Sequence, residues 1–167
     1  MIRPKTKITI KDGDRAWQKF RKEMKRIRGA YVSIGVHENA GQYEDGTSVV
    51  LVALWNEFGT RQDGKVHTPM RSFLRSTIDE NQQLIDSWRR EAIEKIAKGE
   101  FDTVKALEML GFRIRELVRN KIRSNVPPAN KPSTIAAKRR EGINPPDHTL
   151  METQLMLRSI EYKVHAA

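Results

Sequence analysis

Apolar residues recur along this chain in distinct rhythms, and the rhythm changes at glycine and proline. Lys7 to Lys11 alternates polar and apolar, the period of a short strand. Asp12-Gly13-Asp14 reads as a turn, and either aspartate suits the cap of the helix predicted next. From Arg15 to Arg28 the apolar positions are Trp17, Phe20, Met24 and Ile27. Their spacing puts them on one helical face, with Lys and Arg on the other. Gly29 is a natural stop. Ala30 to Val36 alternates again and predicts a strand with Tyr31 or Val32 turned inward, followed by a polar loop from His37 to Gly46.

The densest apolar run lies between Thr47 and Arg75. Thr47 or Ser48 suits the N-cap of a segment from Val49 to Phe58, and Gly59 suits its end. Its β-branched valines also fit a strand, but length and caps favour a helix. Residues 60–68 read as a charged loop. Pro69 fits a first helical turn, and a helix is expected from about Met70 through Asn81 to Lys98. Its stripe includes Phe73, Leu74, Ile78, Ile85, Trp88, Ala92 and Ile96, and Gly99 interrupts it. A second long helix is expected from Asp102 to Ser124, with Leu110, Ile114, Val118 and Ile122 on one side and Arg113, Arg115, Arg119, Lys121 and Arg123 elsewhere.

Pro127, Pro128 and Pro132 must break that helix, because proline lacks an amide hydrogen and clashes with the preceding turn. Ser133 then caps a short helix from Thr134 to Arg140, and Glu141 to His148 forms a Pro-rich connector. The tail from Leu150 to Val164 starts helix-like and ends in a strand with Ile160, Tyr162 and Val164 on one face.

Together these elements predict a single α+β domain over residues 1–167, with a small antiparallel or mixed sheet packed against long amphipathic helices. It divides into an N-terminal strand and basic helix (1–29), a core with the long helices (30–126), the connector (127–149) and a closing helical turn and strand (150–167).

Composition sharpens this picture in two ways. Only 38% of residues are apolar and 31% are charged, so the core is small or is completed by a partner. The net charge of +10 favours polyanionic neighbours, nucleic acid or an acidic protein surface, although Lys and Arg are spread along the chain. With no cysteine, disulfides and thiolate metal sites are excluded. The first residues lack the apolar core of a signal peptide, and Val49 to Trp55 is too short to span a bilayer, so a soluble chain made in the cytoplasm is expected.

Signs of catalysis are sparse. His37, His67, His148 and His165 never fall three or four apart, the spacing a helical metal site needs. His37 with Glu38 is the sole acid–base candidate, and a strand-end histidine in a polar loop is more often structural. No nucleophile elbow, phosphate loop or dinucleotide fingerprint occurs. The carboxylates Asp12, Asp14, Glu44, Asp45, Asp79 and Glu80 sit in turns or at helix starts, which suits caps better than metal ligation. The basic helices present phosphate-directed charge, but no aromatic residues interleave their arginines as a single-strand platform requires.

Four motifs occur in a fixed order. They are A-L-W-N-E-F-G-T at 53–60, T-P-M-R-S-F-L-R at 68–75, P-P-A-N-K-P-S-T-I-A-A-K-R at 127–139 and L-M-E-T-Q-L-M-L-R-S-I at 150–160. The set resembles the small neck and tail-completion proteins (head–tail joining, tail-terminator-like) of tailed double-stranded-DNA phages. The sequence departs from that pattern at Glu152 and Gln154, where Asp and Gly are usual.

The resemblance implies a virion protein without catalysis or cofactor, made in the host cytoplasm. It implies a homo-oligomeric ring, often of six copies, that docks connector to tail tube near packaged DNA, with loops at 37–46 or 60–68 ordering on assembly. Trp55, Glu57, Phe58, Arg71, Phe73 and Arg75 are then candidates for the partner or subunit interface. Lys22, Arg26, Arg115 and Arg119 are candidates for contact with the DNA channel or an acidic partner. The competing expectations are a basic nucleic-acid-binding protein and, less favoured, a hydrolase built on His37 and Glu38.

Overall fold

A computed structural model of the chain describes residues 13–152 and 154–166. The alternating segment at 7–11 lies outside them. The elements are α1 (Gly13–Ile27), β1 (Tyr31–Val36), α2 (Val49–Phe58), β2 (Thr60–Gln62), β3 (Lys65–Thr68), α3 (Arg75–Glu80), α4 (Gln82–Ala97), α5 (Thr103–Arg123), α6 (Pro132–Arg140), α7 (Leu155–Arg158) and β4 (Ile160–His165). The fold is α+β.

Helix α5 is the spine. The Asp102 carboxylate accepts the Lys105 N–H and caps its start. At its end Asn125 takes a left-handed conformation and donates its N–H to the Ile122 carbonyl, the usual way a helix is closed. The N-terminal half buries Ala106 and Leu110 against Ala92 and Ile96 of α4, with Ile27 of α1, Trp88 and Phe101 at the margin. The C-terminal half buries Val118 and Ile122 with Val49 and Ala53 of α2, Phe73, Val126, Met156, Leu157 and Ile160.

Two strands far apart in sequence, one before and one after α5, meet beside it. Strands β1 and β4 pair antiparallel from Tyr31 opposite His165 to Val36 opposite Ile160. The pairs Val32–Val164, Ile34–Tyr162 and Val36–Ile160 share one face, because side chains alternate along a strand. That face packs on α5 at Gly111, where an added Cβ would stand 2.5 Å from Tyr162 Cδ2 and 2.9 Å from Val32 Cγ2. Glycine is there because nothing larger fits. Of the two candidates for the inward position, Val32 is the one turned inward; Tyr31 is exposed and stacks on the His165 ring.

Two expectations are corrected. Residues 60–68 form a hairpin, β2–β3, and not merely a charged loop. Asp63 and Gly64 both have positive φ, which matches the right-handed strand twist in a two-residue turn. The helix expected from Met70 to Lys98 is two helices, α3 and α4, and residues 70–74 precede both. Asn81 leaves the helical region (φ −117°, ψ 19°), and its side-chain amide donates to the Thr77 carbonyl at 2.8 Å, as short polar side chains do when they compete with a helix.

Candidate functional site

Two of the four motifs fold into one hydrogen-bonded unit. Glu57 is on the inward face of α2, one and two turns after Ala53 and Val49, and is 7% exposed. Its carboxylate accepts N–H bonds from Phe73, Leu74 and Arg75, each at 2.9 Å, and the Ser72 hydroxyl at 2.7 Å. These are the amides at and just before the start of α3, which no helical carbonyl can reach. Burial pushes the carboxyl upward, but the bonds from Leu74, Ser72, Arg75 and Phe73 outweigh it and hold it below the ordinary glutamate value. Gly59 makes the return possible. Its φ is +71°, and a Cβ there would stand 2.9 Å from the Met70 nitrogen and 3.0 Å from the Thr68 carbonyl.

Arg71 ties this unit to the third motif. It is 9% exposed, and its guanidinium donates to the carbonyls of Pro128 and Ala129 and to Asn130 Oδ1. Asn130 in turn donates to the His148 carbonyl, as does buried Lys138. Asn125 accepts both the Thr149 N–H and its hydroxyl. The connector is thus held from both sides by polar groups that a hydrophobic-pattern reading passes over.

The six interface candidates occupy three environments. Glu57 and Arg71 are internal braces, and Phe73 is core at 2% exposure. Trp55 and Phe58 are exposed, at 39% and 56%, and the Arg75 guanidinium lies 5.1 Å from the Phe58 ring centre. Two further residues of α2 share their outer face: Leu51 and Leu54. The order Leu51, Leu54, Trp55, Phe58 is i, i+3, i+4, i+7, one complete apolar stripe pointing away from the core. Val66 and Met70 add exposed apolar surface just beyond Gly59. Beside the stripe runs a groove of about 370 Å³ whose lining includes Ile34, Gly35 and Val36 of β1, Leu54 and Phe58 of α2, and Leu74. The spacing of Leu51 and Leu54 is visible in the sequence; which side of a helix that is apolar on almost every face turns outward is not.

The basic residues divide sharply. On α5, Arg113 binds Glu91, Lys121 binds Glu80 at 2.7 Å, and Arg115 and Arg119 bind Glu116 and share Glu161 at 3.0 and 2.8 Å. These cations join α5 to α3, α4 and β4. On α1, Arg26 pairs with Glu23, but Lys22 makes no ion pair among the described residues. Glu23, only 5% exposed, is turned the other way and accepts the Thr103 N–H and hydroxyl at 2.9 and 2.8 Å. The backbone bond from Thr103 is the main cause that lowers its carboxyl, against the opposing effect of burial.

His37 follows β1, and its buried Nε2 has no hydrogen-bond partner among the described residues. Glu38 beside it is exposed. Among the described residues no three His, Asp or Glu side chains form a metal-binding group, and no helix is long and apolar enough to cross a membrane. Comparisons with protein-family models, curated proteins and solved structures found no match.

Proposed function

We propose that the chain is a structural neck or tail-completion protein of a tailed phage, acting by ring formation and docking between connector and tail tube. The observation that carries this reading is the outward stripe of Leu51, Leu54, Trp55 and Phe58, held rigidly by the Glu57 brace behind it. A contiguous apolar stripe with a cation at its edge has the composition of a protein–protein interface core, rich in aromatics and Arg. Two further features support the family resemblance. The first two motifs form one structural unit, so their order has a physical reason. At Gln154, where the family pattern has glycine, the backbone is left-handed (φ 58°), the conformation that favours glycine.

The test is complementation of a phage deleted for this gene. The double variant Leu54→Glu/Phe58→Glu, both at exposed positions, is expected to fold with unchanged thermal stability and to yield filled heads beside unattached tails. Full complementation by the folded variant, or normal joined particles from the deletion itself, overturns the proposal.

A further inference from the structure

From the charge distribution we infer that the outer face of α1 binds the phosphate backbone of duplex DNA. At 100° per residue, Arg28, Arg21, Lys25, Gln18, Lys22 and Arg15 fall within an arc of about 140°. They span about 20 Å along the helix axis and its first residue beyond. Within residues 15–28 no Asp or Glu lies in that arc, and the one carboxylate of that stretch, Glu23, is turned inward to Thr103. Asp14, in the first turn of α1, falls on the same helical face by position, so the acid-free part of the face begins after it. Arg15, Arg21, Lys22, Lys25 and Arg28 are exposed and make no ion pair among the described residues. Gln18, Arg21, Lys22 and Lys25 line one shallow hollow on this face.

The contrast with α5 is what gives the pattern meaning. There Arg113, Arg115, Arg119 and Lys121 each have a glutamate partner, so the chain neutralises its cations where they serve the fold. Self-repulsion among unpaired like charges destabilises α1, and a polyanion relieves it. The straight, regularly charged face suits a linear phosphate array, whose condensed counterions are released on contact. The stripe holds no aromatic side chain to stack an unpaired base, which favours duplex over single strand. Contacts from these side chains to phosphate position a duplex and carry no sequence information. DNA contact by α1 rests on charge placement alone and is independent of ring assembly; its failure leaves that proposal untouched, and the converse.

The experiment is fluorescence anisotropy of the full-length protein with a labelled random-sequence duplex, titrated across salt concentrations. The wild type is expected to bind with log affinity falling linearly against log salt. Arg21→Ala/Lys22→Ala/Lys25→Ala is expected to reduce the slope by about 2.7 and to weaken binding on the order of 10²-fold at 0.1 M salt. Alanine is a strong helix former, so α1 is retained; should that variant fail to fold, Lys22→Gln/Lys25→Gln is expected to reduce the slope by about 1.8. Arg139→Ala/Arg140→Ala removes exposed charge from α6 instead and is expected to leave the slope unchanged. Absence of binding by the wild type at low salt overturns the inference. So does an equal loss per charge from the α6 and α1 variants, which marks a net-charge effect. Poly-glutamate competing as well as DNA at equal charge also overturns it and assigns the face to an acidic protein surface.

Discussion

Removing the Glu57 carboxylate tests the brace beneath the outward stripe. In Glu57→Ala the Phe73 N–H, within a residue 2% exposed, loses its acceptor where water does not reach. An orphaned buried donor costs about 1–3 kcal/mol. The Leu74 and Arg75 amides and the Ser72 hydroxyl lie nearer solvent, and water replaces part of each bond, leaving about 0.5 kcal/mol apiece. Lost packing of the side-chain stem adds about 1 kcal/mol. The total is about 3.5–5.5 kcal/mol, a large share of the stability of a domain this size. With a urea m-value of about 2 kcal/mol/M, the midpoint falls by roughly 1.8–2.8 M. Glu57→Gln keeps the shape but turns an amide N–H₂ toward N–H donors, so it falls between wild type and alanine. Circular dichroism and tryptophan fluorescence through a urea titration measure both. A midpoint shift under about 0.5 M for Glu57→Ala, with an unchanged m-value, would refute the reasoning.

The same carboxylate sets part of the pH dependence. Its folded value lies below the unfolded one, so its contribution is fully present above about pH 4.3 and is lost as pH falls through the folded value. Glu23 acts with the same sign. Wild-type stability is therefore expected to fall on acidification below that point, and each Glu→Gln variant to show a shallower fall.

Three further outcomes are expected. Glu23→Ala is expected to cost about 1–2 kcal/mol and to speed hydrogen exchange in α1 more than in α4, because the Thr103 bonds join α1 to the start of α5. Gly111→Ala is expected to destabilise by about 1–3 kcal/mol despite its better helix propensity, since the new Cβ meets Tyr162 and Val32; calorimetry showing stabilisation would contradict the packing described. Gln154→Gly is expected to raise stability by about 0.5–1 kcal/mol by relieving the left-handed strain, and a loss in the same denaturation assay would count against it.

Periodicity locates α1, α5 and both strands of the main sheet, because each has a face that packs on the core; length and caps locate α2, and the proline break before Ser133 locates α6, whose one buried residue is Lys138. It runs residues 70–98 into one helix, because Phe73, Leu74 and Ile78 keep helical spacing while residues 70–74 are in fact held by Glu57, Arg71 and the Asn56 carbonyl. The hairpin is legible in Asp63-Gly64, but its strands are short and exposed and carry almost no alternation. At the candidate site, Trp55 and Phe58 are recognisable as interface candidates from residue type alone. Glu57 and Arg71 belong to the right motifs, but their work is internal: a carboxylate and a guanidinium satisfying backbone groups from distant segments leave no periodic trace. The pairing of α5 arginines and Lys121 with Glu80, Glu91 and Glu161 is equally hidden, since those glutamates lie on other elements.

Cryo-electron microscopy of the particles released by cells carrying this gene tests the central proposal most directly. The account predicts a ring of density at the head–tail junction or tail end, into which this fold fits with the Leu51, Leu54, Trp55 and Phe58 face against a neighbouring subunit. Joined particles from which the chain is absent, or density with that face in solvent, would contradict it.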